Sequence, residues 1–229
     1  MSALSVDWRR PHEPGAEGLR ERKKRQMRQR LTDTATVMFL ERGFDAVRVA
    51  EIAAACGVSE KTVFNYFPSK EALILDLPET TMTALRAGLA RADRIPTEAA
   101  LDILAGELDA LVSWLDAQPD LAEASARIQD FTTLIRSTPS LRAYHLEMTE
   151  QLVAVAAEAL AVRTGSSSDD PLCQIAATAL LGLWRVQFSS LRRCLDGVRT
   201  PEQVRRDVTA DVHSAAQLID TGLAGFGTM

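Results

Sequence analysis

With 229 residues, 46% apolar and 25% charged, the chain has enough apolar side chain for one large or two modest domains. Its longest apolar stretches, such as 175–184, fall short of the ~20 residues that cross a bilayer, and the charged first thirty residues lack a signal-peptide core, so a cytoplasmic protein is expected. The net charge of −5 argues against a nucleic-acid partner only in sum, because residues 1–77 carry 13 basic against 11 acidic groups while residues 78–229 carry 13 against 20.

Residues 1–18 hold Trp8, Pro11 and Pro14, two glycines and no periodicity, and read as a flexible arm. A helix is predicted from about Leu19. It opens on Arg20–Arg30, seven basic residues and one acidic, and its later turns place Leu31, Ala35, Met38 and Phe39 on one stripe. Gly43 ends it as a C′ residue, and Phe44 and Val47 plug the short connection that follows.

Residues 49–68, VAEIAAACGVSEKTVFNYFP, spell two short helices joined by a turn built on Gly57. Ile52, Cys56, Val58, Val63 and Tyr66 face inward, and Ala53 is small enough for the point where the helices cross. Gly57 adopts positive φ at no steric cost, and Ser59 offers a hydroxyl to cap the second helix. In a helix-turn-helix of this kind the second helix enters the DNA major groove while the first lies across the backbone.

The outward positions of that second helix are Ser59, Glu60, Lys61, Thr62, Phe64 and Asn65. Lys61 can donate to guanine O6 or N7, Asn65 can pair with adenine N6 and N7, and Glu60 can accept from cytosine N4. Thr62 suits a base methyl or a phosphate, and Phe64 a sugar, a thymine methyl or partial burial. From the basic run, Arg22, Lys24 and Arg28 are candidate DNA contacts, with a solvated helix face as the alternative.

Beyond Phe67-Pro68, Ser69 is read as the cap of a fourth helix with Glu71 in its first turn, closing a DNA-reading unit over 19–77. Pro78 interrupts or bends that helix, and periodicity resumes through about Asp93. The rest, 78–229, reads as helices only: 97–117, 119–136, 139–163, 171–195 and 201–222, with Gly165–Asp170 as the clearest loop. The fold class expected is all-α, a three-helix head followed by a helical domain, about nine helices in total.

Three cysteines, Cys56, Cys173 and Cys194, lack CxxC or CxxH spacing, so neither a disulfide framework nor a metal site is expected. Nucleophile-elbow, P-loop, HExxH and paired-carboxylate signatures are missing, so no catalytic residue and no cofactor is assigned.

The run from Gly43-Phe44 through Ile52-Ala53, Gly57-Val58-Ser59 and 62–67 to Ser69–Leu73 resembles the TetR/AcrR family of transcriptional regulators. The resemblance spans roughly Leu19–Leu77. It implies a homodimeric all-α repressor that binds a palindromic operator with its N-terminal head and is released when its C-terminal helices take up a small molecule. Tyr66 and Lys70 match family positions that grip phosphates. The family usually has Thr or Ser where this chain has Arg48, at the start of the first motif helix. Losing that hydroxyl cap costs about 1 kcal/mol, and Arg48, with Val49 beside it, is assigned to DNA instead, with a merely solvated Arg48 side chain as the alternative.

More weakly, the segment Ile128–Leu160 and the helix bearing Trp184 resemble the branch of the mycofactocin-system regulator, which implies an acyl-CoA-like ligand. Cavities in helical bodies are apolar with a few polar groups; the effector candidates are Trp114, Phe131, Tyr144, Met148, Trp184, Gln187 and Phe188, with ordinary core or dimer packing as the alternative for each. The last two helices, paired with a second copy, are expected to bury Leu180, Leu183, Val208, Val212 and Leu218. The alternative function is a structural or adaptor DNA-binding protein without an effector pocket.

Overall fold

The computed structural model describes residues 19–76 and 79–222; the expected arm over 1–18 and the break at Pro78 lie outside them. Among the described residues every regular element is helical. The order is α1 (Leu19–Arg42), α2 (Val49–Ala55), α3 (Glu60–Tyr66), a 3-10 turn (Glu71–Leu73), α4 (Glu79–Leu89), α5 (Pro96–Asp116), α6 (Leu121–Ser137), α7 (Pro139–Thr164), α8 (Pro171–Cys194) and α9 (Pro201–Gly222).

Local chemistry sets most of these boundaries. Proline occupies the first position of α5, α7, α8 and α9, where its missing N–H costs nothing and its fixed φ favours a helix. Asp170 caps α8, accepting from the Leu172 N–H at 2.8 Å. For α6 the start is set by Asp120, whose carboxylate accepts from the Glu123 N–H at 2.9 Å, rather than by Pro119. The fourth helix expected from Ser69 is a correction. Ser69 does accept the Ala72 N–H at 3.2 Å, but the cap opens only the 3-10 turn, and α4 begins afresh at Glu79 and stops at Leu89 rather than near Asp93.

The described chain forms two compact units. The first runs from the start of α1 to Asp76 and also takes in Arg127–His145; the second holds the rest.

In the first unit α1 buries Leu31, Ala35 and Phe39, while Met38 of the expected stripe is only half-buried. Phe39 meets Phe44 with ring centroids 4.9 Å apart, and Ile52, Ala53, Val63 and Phe67 are buried in the same unit. Gly43 takes φ +84° and donates to the Phe39 carbonyl at 2.9 Å, which ends α1 as predicted.

In the second unit α5 is the spine, with Leu104, Leu108, Leu111 and Leu115 buried along it. α8 and α9 contribute Leu180, Leu183, Val208 and Val212 to the same interior. Those four were expected to be covered by a second copy; α8 and α9 bury them within one chain, because each helix turns its regular apolar stripe toward its neighbour. Of the five named, only Leu218, at 76% exposure, remains outside. Polar staples fix the packing: Thr97 donates to Asp220 between α5 and α9, and Ser190 and Arg193 both donate to Asp211 between α8 and α9. These bonds hold the Asp211 carboxyl below its usual range, the Ser190 hydroxyl being the main cause.

Candidate nucleic-acid interface

The turn between α2 and α3 is a Schellman motif. Gly57 sits at φ +66°, its N–H donates to the Ala54 carbonyl and the Val58 N–H to the Ala53 carbonyl, each at 3.0 Å. Ser59 then caps α3, its hydroxyl accepting the Thr62 N–H at 3.1 Å and lying 2.8 Å from the Thr62 hydroxyl. Cys56 is buried under the turn with its Sγ 3.3 Å from the Thr34 hydroxyl, tying α2 to α1.

With the turn fixed, α3 buries Val63 and leaves Ser59, Glu60, Lys61, Phe64 and Asn65 exposed, with Thr62 half-buried. Phe64 keeps 47% of its surface exposed, unusual for an aromatic side chain in a packed domain. The periodicity reading of this helix therefore matches its geometry. Tyr66, read as inward, is half-buried, as is Val58.

Helix α2 begins at Arg48, which has extended backbone and an exposed side chain. A guanidinium has no acceptor for an N-terminal N–H. Glu51 supplies the complementary half of a capping box instead, accepting the Arg48 N–H at 2.8 Å. Its other oxygen takes a bond from Arg42 at 2.7 Å, so the end of α1 is tied to the start of α2. The Arg48 N–H, and then Arg42, hold the Glu51 carboxyl below its usual range. Sequence reading missed this pair, although Glu51 three residues after the cap was the available signal. Val49, assigned beside Arg48 to DNA, is corrected: it is buried, sharing an inward stripe with Ile52 and Ala53.

Two cations assigned to phosphates are engaged inside the head. Arg28 donates from Nε to Asp76 Oδ2 at 2.8 Å, from Nη2 to the other carboxylate oxygen, and from Nη1 to the Tyr66 carbonyl at 2.6 Å. Its guanidinium carbon lies 4.4 Å from the centre of the Phe67 ring. Lys70 donates to the Phe44 carbonyl at 2.6 Å, with its ammonium 4.3 Å from the Phe44 ring centre and 5.6 Å from that of Phe39. Burial pushes the Lys70 ammonium below its usual range. Arg22 and Lys24, six and four residues before Arg28 on α1, are exposed.

The expected effector residues divide between the units. Phe131 is buried and Tyr144 half-buried in the first; Trp114, Met148 and Trp184 are half-buried in the second. Trp184 donates its indole N–H to Glu107 at 3.1 Å, and Thr81 donates to the other oxygen of that carboxylate at 3.3 Å. Gln187 is buried and donates to the Leu104 carbonyl at 3.2 Å. Phe188 is corrected. Helix α8 turns Leu183 and Gln187 inward, which leaves Phe188, a step of about 100° around the helix, 41% exposed.

The family model described as bacterial regulatory proteins of the tetR family matches residues 31–77, and that described as the MftR C-terminal domain matches residues 120–199. The transcriptional regulator TcmR of Streptomyces glaucescens is 31% identical over 160 residues, 69% of this chain and 69% of that one. The Mycobacterium tuberculosis protein called "Putative mycofactocin biosynthesis transcriptional regulator MftR" is 29% identical over 67% of this chain and 73% of its own. Among solved structures, Thermus thermophilus FadR, a TetR-family repressor in complex with lauroyl-CoA, aligns with TM-score 0.43 and 26% identity over 86% of this chain and 94% of that one. Two thirds of a regulator's length matched at this identity leaves one conclusion: the chain belongs to the TetR family of bacterial regulatory proteins and is a DNA-binding regulator of transcription.

Proposed function

We propose that the protein is a repressor that binds an inverted-repeat operator as a homodimer and is released by a small apolar or acyl-type effector. The observation that carries the DNA half of this reading is the exposed polar row Ser59, Glu60, Lys61 and Asn65 on a helix whose start is fixed by the Gly57 turn. Lys61 and Asn65 read base edges, Arg48 meets a phosphate at the start of α2, and Phe64 packs on a sugar or a thymine methyl. Arg22 and Lys24 follow the flanking phosphates from α1.

Homodimerisation through α8 and α9 is supported by the apolar side chains those helices leave outside, Leu172, Ile175 and Phe188 on α8 and Leu218 on α9. A twofold dimer then requires an operator of matching symmetry. The effector reading rests on the match of residues 120–199 to the MftR C-terminal domain and on the polar groups of Trp184, Glu107 and Gln187 set among buried leucines.

Duplexes retained by the full-length protein from a randomised pool give the operator. Titration with long-chain acyl-CoA then tests release. A compound that raises the melting temperature and frees the operator supports the repressor reading; a panel of acyl-CoAs and hydrophobic drugs that shifts neither sinks the effector half and leaves an adaptor.

A further inference from the structure

We propose that Arg28 is a positioning residue, which fixes the C-terminal end of α3 through the Tyr66 carbonyl, Asp76 and the Phe67 ring without touching DNA. The inference deepens the assignment of α3 as the reading helix and rests on it. A seven-residue helix cannot hold its own geometry, and its last carbonyls have no partner inside it. Its N-terminal end is held by the Gly57 turn and the Ser59 cap. Its C-terminal end closes with the Phe67 N–H on the Val63 carbonyl at 3.0 Å, and Arg28 takes the Tyr66 carbonyl, the last of the helix, at 2.6 Å. A cation there also suits the negative end of the helix dipole.

The guanidinium makes two further contacts. Asp76 receives it through both carboxylate oxygens, a fork-on-fork arrangement that a lysine cannot reproduce. One face lies over Phe67, which is fully buried. The side chains of Arg28 and Asp76 retain 28% and 19% of their surface. A phosphate would therefore compete with a carboxylate already seated on the same donors. Arg28 belongs to a run of seven basic residues by sequence, yet it is half-buried while the other six are exposed.

The two ends of α3 thus have independent anchors, and this sets the expected pattern. Asn65 lies one residue from Tyr66, where Arg28 ties, whereas Lys61 lies two residues from the Ser59 cap. Loss of Arg28 lets the far end swing, so discrimination at the base read by Asn65 drops while that at the Lys61 base is kept.

The test uses the full-length protein and its selected operator, with Arg28→Gln, Arg28→Lys and Asp76→Asn measured against single-base operator variants over a salt titration. The expected result is a loss of between about fivefold and a hundredfold in discrimination at the Asn65 base, with the slope of log affinity on log salt unchanged. Asp76→Asn removes a negative charge, so a freed Arg28 acting on phosphate would tighten binding; the positioning role predicts the same specificity loss as Arg28→Gln. A slope reduced by about one with discrimination intact overturns the proposal, and so does a lowered melting temperature with affinity and discrimination unchanged. If Arg28→Gln does not fold, Arg28→Lys and Asp76→Asn carry the test. Lys61→Ala and Asn65→Ala in the same panel separate the two ideas: if both keep full discrimination, α3 is not the reading helix and the proposal falls with that assignment.

Discussion

At the scale of single residues, Arg48 occupies a position where a hydroxyl would serve folding better. Glu51 recovers one N–H at the start of α2, but the side chain of Arg48 caps nothing. Arg48→Thr should therefore raise the stability of the head by about 0.5–1 kcal/mol while weakening operator binding and lowering its salt slope by about one. Parallel denaturant melts and salt-titrated gel shifts read both changes. An unchanged slope removes Arg48 from the interface.

Glu51 gives the head a pH dependence with a defined sign. Its carboxyl titrates below the usual value in the folded protein, so its contribution is complete above that value and is lost as pH falls through the lowered one. Wild type should melt above Glu51→Gln at neutral pH, and the gap should close in acid. A gap that persists to low pH, or widens, contradicts the Arg48–Glu51–Arg42 arrangement.

The fates of Arg28 and Lys70 were not legible in the sequence. Their partners lie 48 and 26 residues away, and no local pattern distinguishes a basic residue that turns inward from one that meets a phosphate. Val49 is the opposite case: its inward place is encoded locally, in the apolar stripe that it shares with Ile52 and Ala53 on α2.

At the scale of elements, what could be read was what is encoded within a few residues. The turn at Gly57, the cap at Ser59 and the prolines opening α5, α7, α8 and α9 all use short-range signals, and all appear where expected. The segment after Ser69 shows the limit of such signals. A cap states where a helix can begin, but only the residues after it decide how far it runs, and here it runs one 3-10 turn.

The positive φ at Gly57 makes a matching prediction. A Cβ placed there meets nothing within 4 Å, so Gly57→Ala carries only the conformational cost of about 1–2 kcal/mol. Equilibrium unfolding should show that loss with an unchanged dependence on denaturant. No loss at all would mean that the turn has another geometry.

At the scale of the whole molecule, the all-α class and the reading head were legible, whereas the use of the last two helices was not. Leu180, Leu183, Val208 and Val212 look in sequence like any amphipathic stripe, and periodicity cannot tell a partner within the chain from one outside it. The proposed dimer is therefore left with the outer faces. Ile175→Glu and Leu218→Glu should yield a folded monomer with weakened operator binding, whereas Leu180→Ala should cost about 2–5 kcal/mol of stability. Sedimentation and thermal melting distinguish these outcomes; a dimer untouched by both outer-face substitutions excludes that surface.

The central claim is that the exposed side of α3 reads bases. The most direct measurement is the affinity ratio between the selected operator and a scrambled duplex of equal length, at one fixed salt, for wild type and for the Lys61→Ala/Asn65→Ala double variant. The double variant should lose about 2–6 kcal/mol of that discrimination if the two contacts are independent, keeping its fold and its affinity for the scrambled duplex nearly unchanged. Equal discrimination by wild type and double variant would contradict the account.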